Sequence, residues 1–390
     1  MLNERSSKEG QITEEGLKKL REMKGTKLRL GMMQNNELVC EETLRKFVNG
    51  LGDTNPLWQD KEYSKNTRYG ALVAPPSWLY SVFGAGIMHG LTGVHSFHAG
   101  DDWEFHKPIL LGDKIRPEAI AQGYEEMKGS HFAARMIKQF QERRYYNQKD
   151  DLVAKALRWN MRTERSSVRE TGKYKEVTLP HPWIDEELKR IEDEVLSEQI
   201  RGSKVRYWED VSIGEELPQL VKGPHSFENE LAWHAGATGF WVSSNVALRL
   251  YRKHPAWAYR DLESMALEPM ASVHWLKAAA HKAGLPYPYA VGMEINAWLI
   301  QFLTDWIGDE GWLKRCYAEY RAFVYVSDVL WFKGRVINKN VDENGEYFID
   351  IETSGINQRG ENVIPGKATV ILPSKEARTF PVEKRLPGSK

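Results

Sequence analysis

The 390-residue sequence predicts an α+β protein in which one structural unit occurs twice. Three observations carry this. A long apolar helical segment followed by several strand-like runs appears in each half. The turn Gly112-Asp113 of the first half has a counterpart, Ser327-Asp328, in the second. The alternation of strands and helices that announces a parallel sheet is absent. The length favours two or three domains, ample for large cores.

Residues 1–35 are polar and rich in Lys, Arg and Glu, and read as a helical or loosely packed arm. The first unit spans 36–163. It opens with a helix over Val39–Leu51, whose Leu44, Phe47, Val48 and Leu51 share one face. Gly52-Asp53-Thr54-Asn55-Pro56 then makes a tight turn, because short polar side chains bond back to their own backbone. Lys61–Arg68 suits a short solvated helix. Pro76 opens an apolar helix reaching Met88, with Leu79, Val82, Phe83, Gly86 and Ile87 at spacings of three and four. Gly84, Ala85 and Gly86 are poor helix residues, which makes sense where a sheet wraps closely around them. Strands are expected at Trp103–Ile109, Lys114–Gly123, His131–Arg144 and Leu152–Met161. A carboxylate-bearing turn is thus set beside the start of a buried helix, where backbone N–H groups are free to bind an oxyanion.

Residues 164–202 form a charged linker with Pro180, Pro182 and a short amphipathic helix near Glu186–Gln199. The second unit spans 203–376. Glu228–His234 mirrors the helix before the turn, and Met293–Trp306 mirrors the central helix, with Gly308 as its cap. Strands are expected at Cys316–Tyr325, Val329–Asn338, Tyr347–Gly355 and Asn362–Leu372. An insertion at 240–271, rich in Trp, Tyr and Arg, replaces the tight turn of the first unit and reads as a lid or pocket wall. Residues 377–390 are a tail.

Lys plus Arg and Asp plus Glu both number 54, so no basic excess points to nucleic acid. Two cysteines far apart, Cys40 and Cys316, argue against a disulfide framework. The first residues lack an apolar signal core, and the most apolar stretch, Met293–Ile307, is too short and polar to span a bilayer. A cytoplasmic chain without membrane contact is expected. His89, His95, His98 and His106 match no tight ligand spacing, so no metal is expected.

The run GDTNPLWQDKEYSKNTRYGALVAPP resembles the MaoC-type dehydratase (hydratase 2) branch of the hotdog superfamily, with a FAS1-like dehydratase N-terminal half. The family motif is Gly-Asp-x-Asn-Pro-x-His-x-Asp, in which Asp and His position a water. The resemblance implies a double hotdog, two central helices each wrapped by antiparallel sheet and fused as a pseudo-dimer. It implies reversible hydration of a 2-enoyl-CoA thioester, with acyl-CoA as substrate and no cofactor. In the first half Trp58 stands where the family has His, and Pro76, which has no N–H, stands at the helix start. Asp53 and Asn55 are therefore expected to hold the turn, and with Trp58 and Trp275 to contact substrate. In the second half the stretch Ala271–Met293 aligns His274 with the catalytic His and Gly292 with the glycine whose N–H polarises the thioester carbonyl. The expected carboxylate is missing: Pro269 and Leu276 occupy the places where Asp is found. Glu268 is the nearest substitute, with Glu263 and Asp261 behind it. Lys333 and Arg335 could meet CoA phosphates or simply face solvent. Two incomplete half-sites leave a second expectation, a degenerate acyl-CoA-binding subunit of a hotdog complex. A homodimer or hetero-oligomer is open.

Overall fold

In a computed structural model the chain is described over residues 10–30, 35–83, 88–127, 135–164, 177–238 and 242–387. The first unit contributes strands β1 (His95–Phe105), β2 (Arg116–Met127), β3 (Met136–Tyr146) and β4 (Leu152–Thr163). The second contributes β5 (Leu220–Lys222), the insertion hairpin β6 (Ala258–Arg260) and β7 (Leu267–Pro269), then β8 (Trp312–Glu319), β9 (Leu330–Val341), β10 (Tyr347–Asn357) and β11 (Gly366–Ile371). Apart from the hairpin these form one nine-stranded sheet in the order β2-β3-β4-β1-β8-β11-β10-β9-β5. Its neighbours all pair antiparallel. The two units meet where Gly100–Glu104 of β1 pairs with Arg315–Glu319 of β8.

The helices are α1 (Glu14–Glu22), α2 (Glu41–Leu51), α3 (Asp185–Leu196), α4 (Phe227–Trp233), α5 (Ser244–Lys253), α6 (Lys277–Lys282) and α7 (Gly292–Ile307). Every residue of α7 from Met293 onward is buried, as a helix wrapped on all sides must be. Gly308 closes it at φ 71°. In the first unit the corresponding segment runs as a 3₁₀ turn, Pro76–Trp78, into Leu79–Val82, all buried from Ser77 on. The small-residue stretch 84–87 lies outside the described residues. No helix among the described residues is long and apolar enough to cross a membrane.

The duplication is visible bond by bond. The Leu110 N–H donates to Asp113 Oδ2 at 2.8 Å, and the Tyr325 N–H to Asp328 Oδ2 at 2.9 Å. Gln148 donates to Asp113 and accepts from the Lys114 N–H; Gln358 does the same with Asp328 and Val329. Val39 exchanges backbone bonds with Gly112 and Asp113, as His225 does with Ser327 and Asp328. The Ala74 N–H donates to Ile109 O and the Ala290 N–H to Val324 O, both at 2.8 Å. These matches put Val39, Leu44, Val48, Pro76, Trp78 and Tyr80 opposite His225, Glu230, His234, Gly292, Glu294 and Asn296.

Two departures from the sequence reading have physical causes. β1 begins at His95 rather than Trp103, because His98 and Asp101 point inward to polar partners and so erase the alternation that marks a strand. The N-terminal arm is a docked helix: Ile12, Leu17 and Leu20 are buried with Leu91, Val94 and Ile137.

Helices α2 and α4 cross with their backbones almost touching. A Cβ on Gly50 would lie 2.5 Å from Ala232 O, and one on Gly236 would lie 2.3 Å from Lys46 O, in a two-fold-like arrangement. Only glycine allows that approach. Gly50→Ala and Gly236→Ala should each destabilise the chain by about 1–3 kcal/mol, the cost of overpacking, read as lower urea midpoints; unchanged midpoints would contradict the close crossing.

Candidate active site

The two half-sites differ in what the same positions carry. In the first, Asp53 Oδ1 accepts the Asn55 N–H at 3.0 Å, and Asp53 Oδ2 accepts Trp58 Nε1–H at 3.0 Å. Asn55 Oδ1 in turn accepts the Leu57 N–H, capping the helical turn Pro56–Gln59. Both Asp53 oxygens thus accept hydrogen bonds from within the turn. Asn55 and Trp58 line a cavity of about 50 Å³ together with Pro76, Lys107, Thr304 and Trp312. Asp53 is not among its lining residues and lies 2% exposed behind them.

In the second half-site, the 3₁₀ turn Met270–His274 brings His274 under the loop that leads to α7. His274 Nδ1 lies 2.6 Å from Tyr289 O. A carbonyl only accepts, so Nδ1 carries the proton and the Nε2 lone pair is left as a base. Burial pulls this imidazole below its ordinary pKa, against the opposing charge of Glu230. Trp275 packs edge-on against His234, with ring centroids 5.2 Å apart. Gly292 opens α7, where the first N–H groups have no intrahelical acceptor. A Cβ there would meet the Tyr320 ring at 3.0 Å and His98 Nδ1 at 3.1 Å, so this glycine also permits a close approach from the first unit.

Glu268 sits on β7 opposite Tyr259, and its charge acts on Tyr251 and Tyr259. The carboxylate whose charge reaches His274 is Glu230. Asp261 caps its own hairpin by accepting from the Ser264 N–H and hydroxyl, and Glu263 is exposed beside it. Lys333 and Arg335 are exposed on β9.

Sequence reasoning missed the polar groups behind His274. His225 Nε2 and Glu230 Oε1 are 2.9 Å apart, and His234 Nε2 lies 3.5 Å from Glu230 Oε2. Helix α4 runs into a π-helical turn, His234–Thr238, where Thr238 Oγ1 lies 2.8 Å from His234 Nδ1. Glu294, in the first turn of α7, is 1% exposed. Burial, with the Glu230 charge second, holds its carboxyl well above the usual range. Burial takes His234 down to about 4. The signal available in the sequence was the substitution of His, Glu and His for Val39, Leu44 and Val48 in the duplicated helix. A second missed group joins the halves: the Tyr80 and Tyr320 hydroxyls donate to Asp101 Oδ2, His98 Nε2 lies 3.0 Å from it, and Asn296 Nδ2 donates to the Tyr80 oxygen.

This fold and part of this sequence recur in known proteins. Residues 30–156 match the family described as FAS1-like, dehydratase domain region. A solved MaoC-like dehydratase superposes at TM-score 0.61 with 15% identity, covering 90% of this chain and 99% of that one. RV0216 of Mycobacterium tuberculosis, described as a double hotdog, superposes at 0.51 with 11% identity over 90% and 97%. A protein of Thermomonospora curvata named probable enoyl-CoA hydratase alpha subunit is 30% identical over 163 residues, 36% of this chain and 50% of that relative. The chain spans less than two thirds of the length of the curated relatives it matches. The chain thus has a double-hotdog fold like that of these solved proteins, and its first half is similar to the FAS1-like dehydratase domain region.

Burial lifts Asp53 from its ordinary 3.8 to about 6, although the Asn55 N–H pulls the other way. The folded chain therefore holds this proton more tightly than the unfolded one. The stability that follows is complete below pH 3.8 and is lost as pH rises through about 6. The unfolding free energy of the native chain should fall relative to Asp53→Asn across that window, by about 3 kcal/mol, read from urea midpoints against pH; parallel profiles would contradict it.

Proposed function

We propose that this chain catalyses reversible hydration of a 2-enoyl-CoA thioester at the second half-site. The observation that carries the reading is the 2.6 Å contact between His274 Nδ1 and Tyr289 O, which presents Nε2 as a neutral base. Its burial favours that neutral form. The Gly292 N–H, at the positive end of α7, polarises the thioester carbonyl and stabilises the enolate oxygen as charge develops. Water adds to C3 while its proton passes to Nε2; the same nitrogen returns a proton to C2. Two-way traffic through one imidazole needs no separate acid.

The first half-site, with Asp53 tied down by Asn55 and Trp58, shapes the molecule rather than the reaction. The insertion supports a bulky or unusual acyl group. It builds helix α5, none of whose residues is buried, and the β6–β7 hairpin, whose Tyr259 joins Val273 in a separate apolar cluster. Poor hydration of crotonyl-CoA beside larger enoyl-CoAs is the expected pattern. A second reading, an acyl-CoA-binding subunit that needs a hotdog partner for turnover, is favoured by the subunit designation of the Thermomonospora curvata relative.

His274→Ala should lower kcat/KM by about 10²–10⁴, the usual weight of general acid–base catalysis. In the native chain the acid limb of kcat/KM should fall below pH 6.5, because burial depresses this imidazole. Undiminished turnover in His274→Ala removes the role. Thioester binding without turnover by the chain alone, restored by a copurifying hotdog protein, would favour the second reading.

A further inference from the structure

The same fold occurs twice in this chain, once with an apolar corner and once with a buried titratable group behind His274. In the first unit Val39, Leu44, Val48 and Trp78 fill the corresponding space, all at most 1% exposed and in one apolar core. In the second unit the same places hold His225, Glu230, His234 and Glu294, at 3, 0, 7 and 1% exposure. Burying two carboxylates is costly unless their charge is compensated, and the cation that acts on Glu294, Lys222, spends its ammonium on the Gly52 carbonyl. One ligand atom from each of His225, Glu230 and Glu294 lies within 4.8 Å of the others. Neither oxygen of Glu294 has a hydrogen-bond partner, although the side chain is almost completely enclosed.

We propose that His225, Glu230 and Glu294 bind one first-row divalent cation inside the second hotdog unit. Imidazole and carboxylate donors on a buried cluster suit Zn²⁺, Fe²⁺ or Mn²⁺ better than Ca²⁺ or Cu⁺. A charge of +2 balances the two carboxylates. The cation satisfies both Glu294 oxygens or one of them directly. His234, 3.5 Å from Glu230, steadies that ligand from behind. The site spans two elements: His225 and Glu230 come from the start of α4 and the residue pair before it, Glu294 from the first turn of α7. Binding therefore clamps the pre-turn helix to the central helix beside His274. This inference does not rest on the hydratase reading, because binding is read without thioester or turnover.

The test uses the full chain, purified without an affinity tag that binds metal. Metal content is measured by plasma mass spectrometry, and Zn²⁺, Mn²⁺ and Co²⁺ are titrated into the chelator-treated protein. Trp298 stacks edge-on to His225 at 5.7 Å and reports binding through its fluorescence. One cation per chain is expected, with a visible ligand-field spectrum for Co²⁺. Glu294→Gln should weaken binding by at least about 100-fold. The triple variant His225→Val, Glu230→Leu, His234→Val copies the first unit's core and should fold without binding. If the native chain takes up no cation, or binds it no more tightly than the triple variant, the site does not exist. A fall in turnover of Glu294→Gln with no metal in the native chain overturns it equally.

Discussion

The pairing of β1 with β8 is the constraint on which everything else rests. Residues Gly100–Glu104 and Arg315–Glu319 turn a four-stranded and a five-stranded wrap into one sheet, and that register fixes where the two central helices can lie. Gly100 is required there, since a Cβ would fall 2.1 Å from the Trp159 ring and 2.6 Å from Ala318 O. Beneath the seam Asp101 gathers hydroxyls from both units, and Tyr80 meets Asn296, the residue at its own place in the other copy. Closing the sheet in this way also removes the central edges that would otherwise invite a second chain.

Once the scaffold is shared, the two units are free to differ. The first keeps the polar turn, and under the proposed function it takes no part in the reaction. Trp58 replaces an imidazole with an indole N–H that can only donate, and it spends that donor on Asp53. The second loses the polar turn to an insertion and keeps the imidazole and the helix-opening glycine. It also converts an apolar core corner into a buried polar one. The π-helical turn after α4 is the local distortion that accompanies that conversion. Division of labour of this kind follows from fusion, because one half can hold shape while the other carries charge.

Much of this was legible in the residues. The central helix of the second unit announced itself by the largely apolar run Met293–Trp306, and its glycine cap stood in place. The duplication could be read from Gly112-Asp113 and Ser327-Asp328. The matching Asn147-Gln148 and Asn357-Gln358 loops carry the same signal. The start of β1 was hidden because inward-facing His98 and Asp101 look like solvent residues. The partner of His274 was sought in the sequence neighbourhood, at Glu268, whereas the carboxylate nearest in electrostatic terms, Glu230, arrives from a helix that precedes the insertion. Proximity created by a fold across an insertion leaves no spacing to read. What does leave a trace is internal comparison: a His or Glu where the other copy has Val or Leu marks a place where stability was not the requirement.

The central claim is that only the later unit performs chemistry. The most direct measurement compares His274→Gln with Trp58→Phe against a panel of enoyl-CoA thioesters, following loss of the conjugated enoyl absorbance. The account predicts that His274→Gln loses turnover while Trp58→Phe keeps it with an altered preference for acyl size. Turnover that survives in His274→Gln and collapses in Trp58→Phe would place the reaction in the first unit and contradict it.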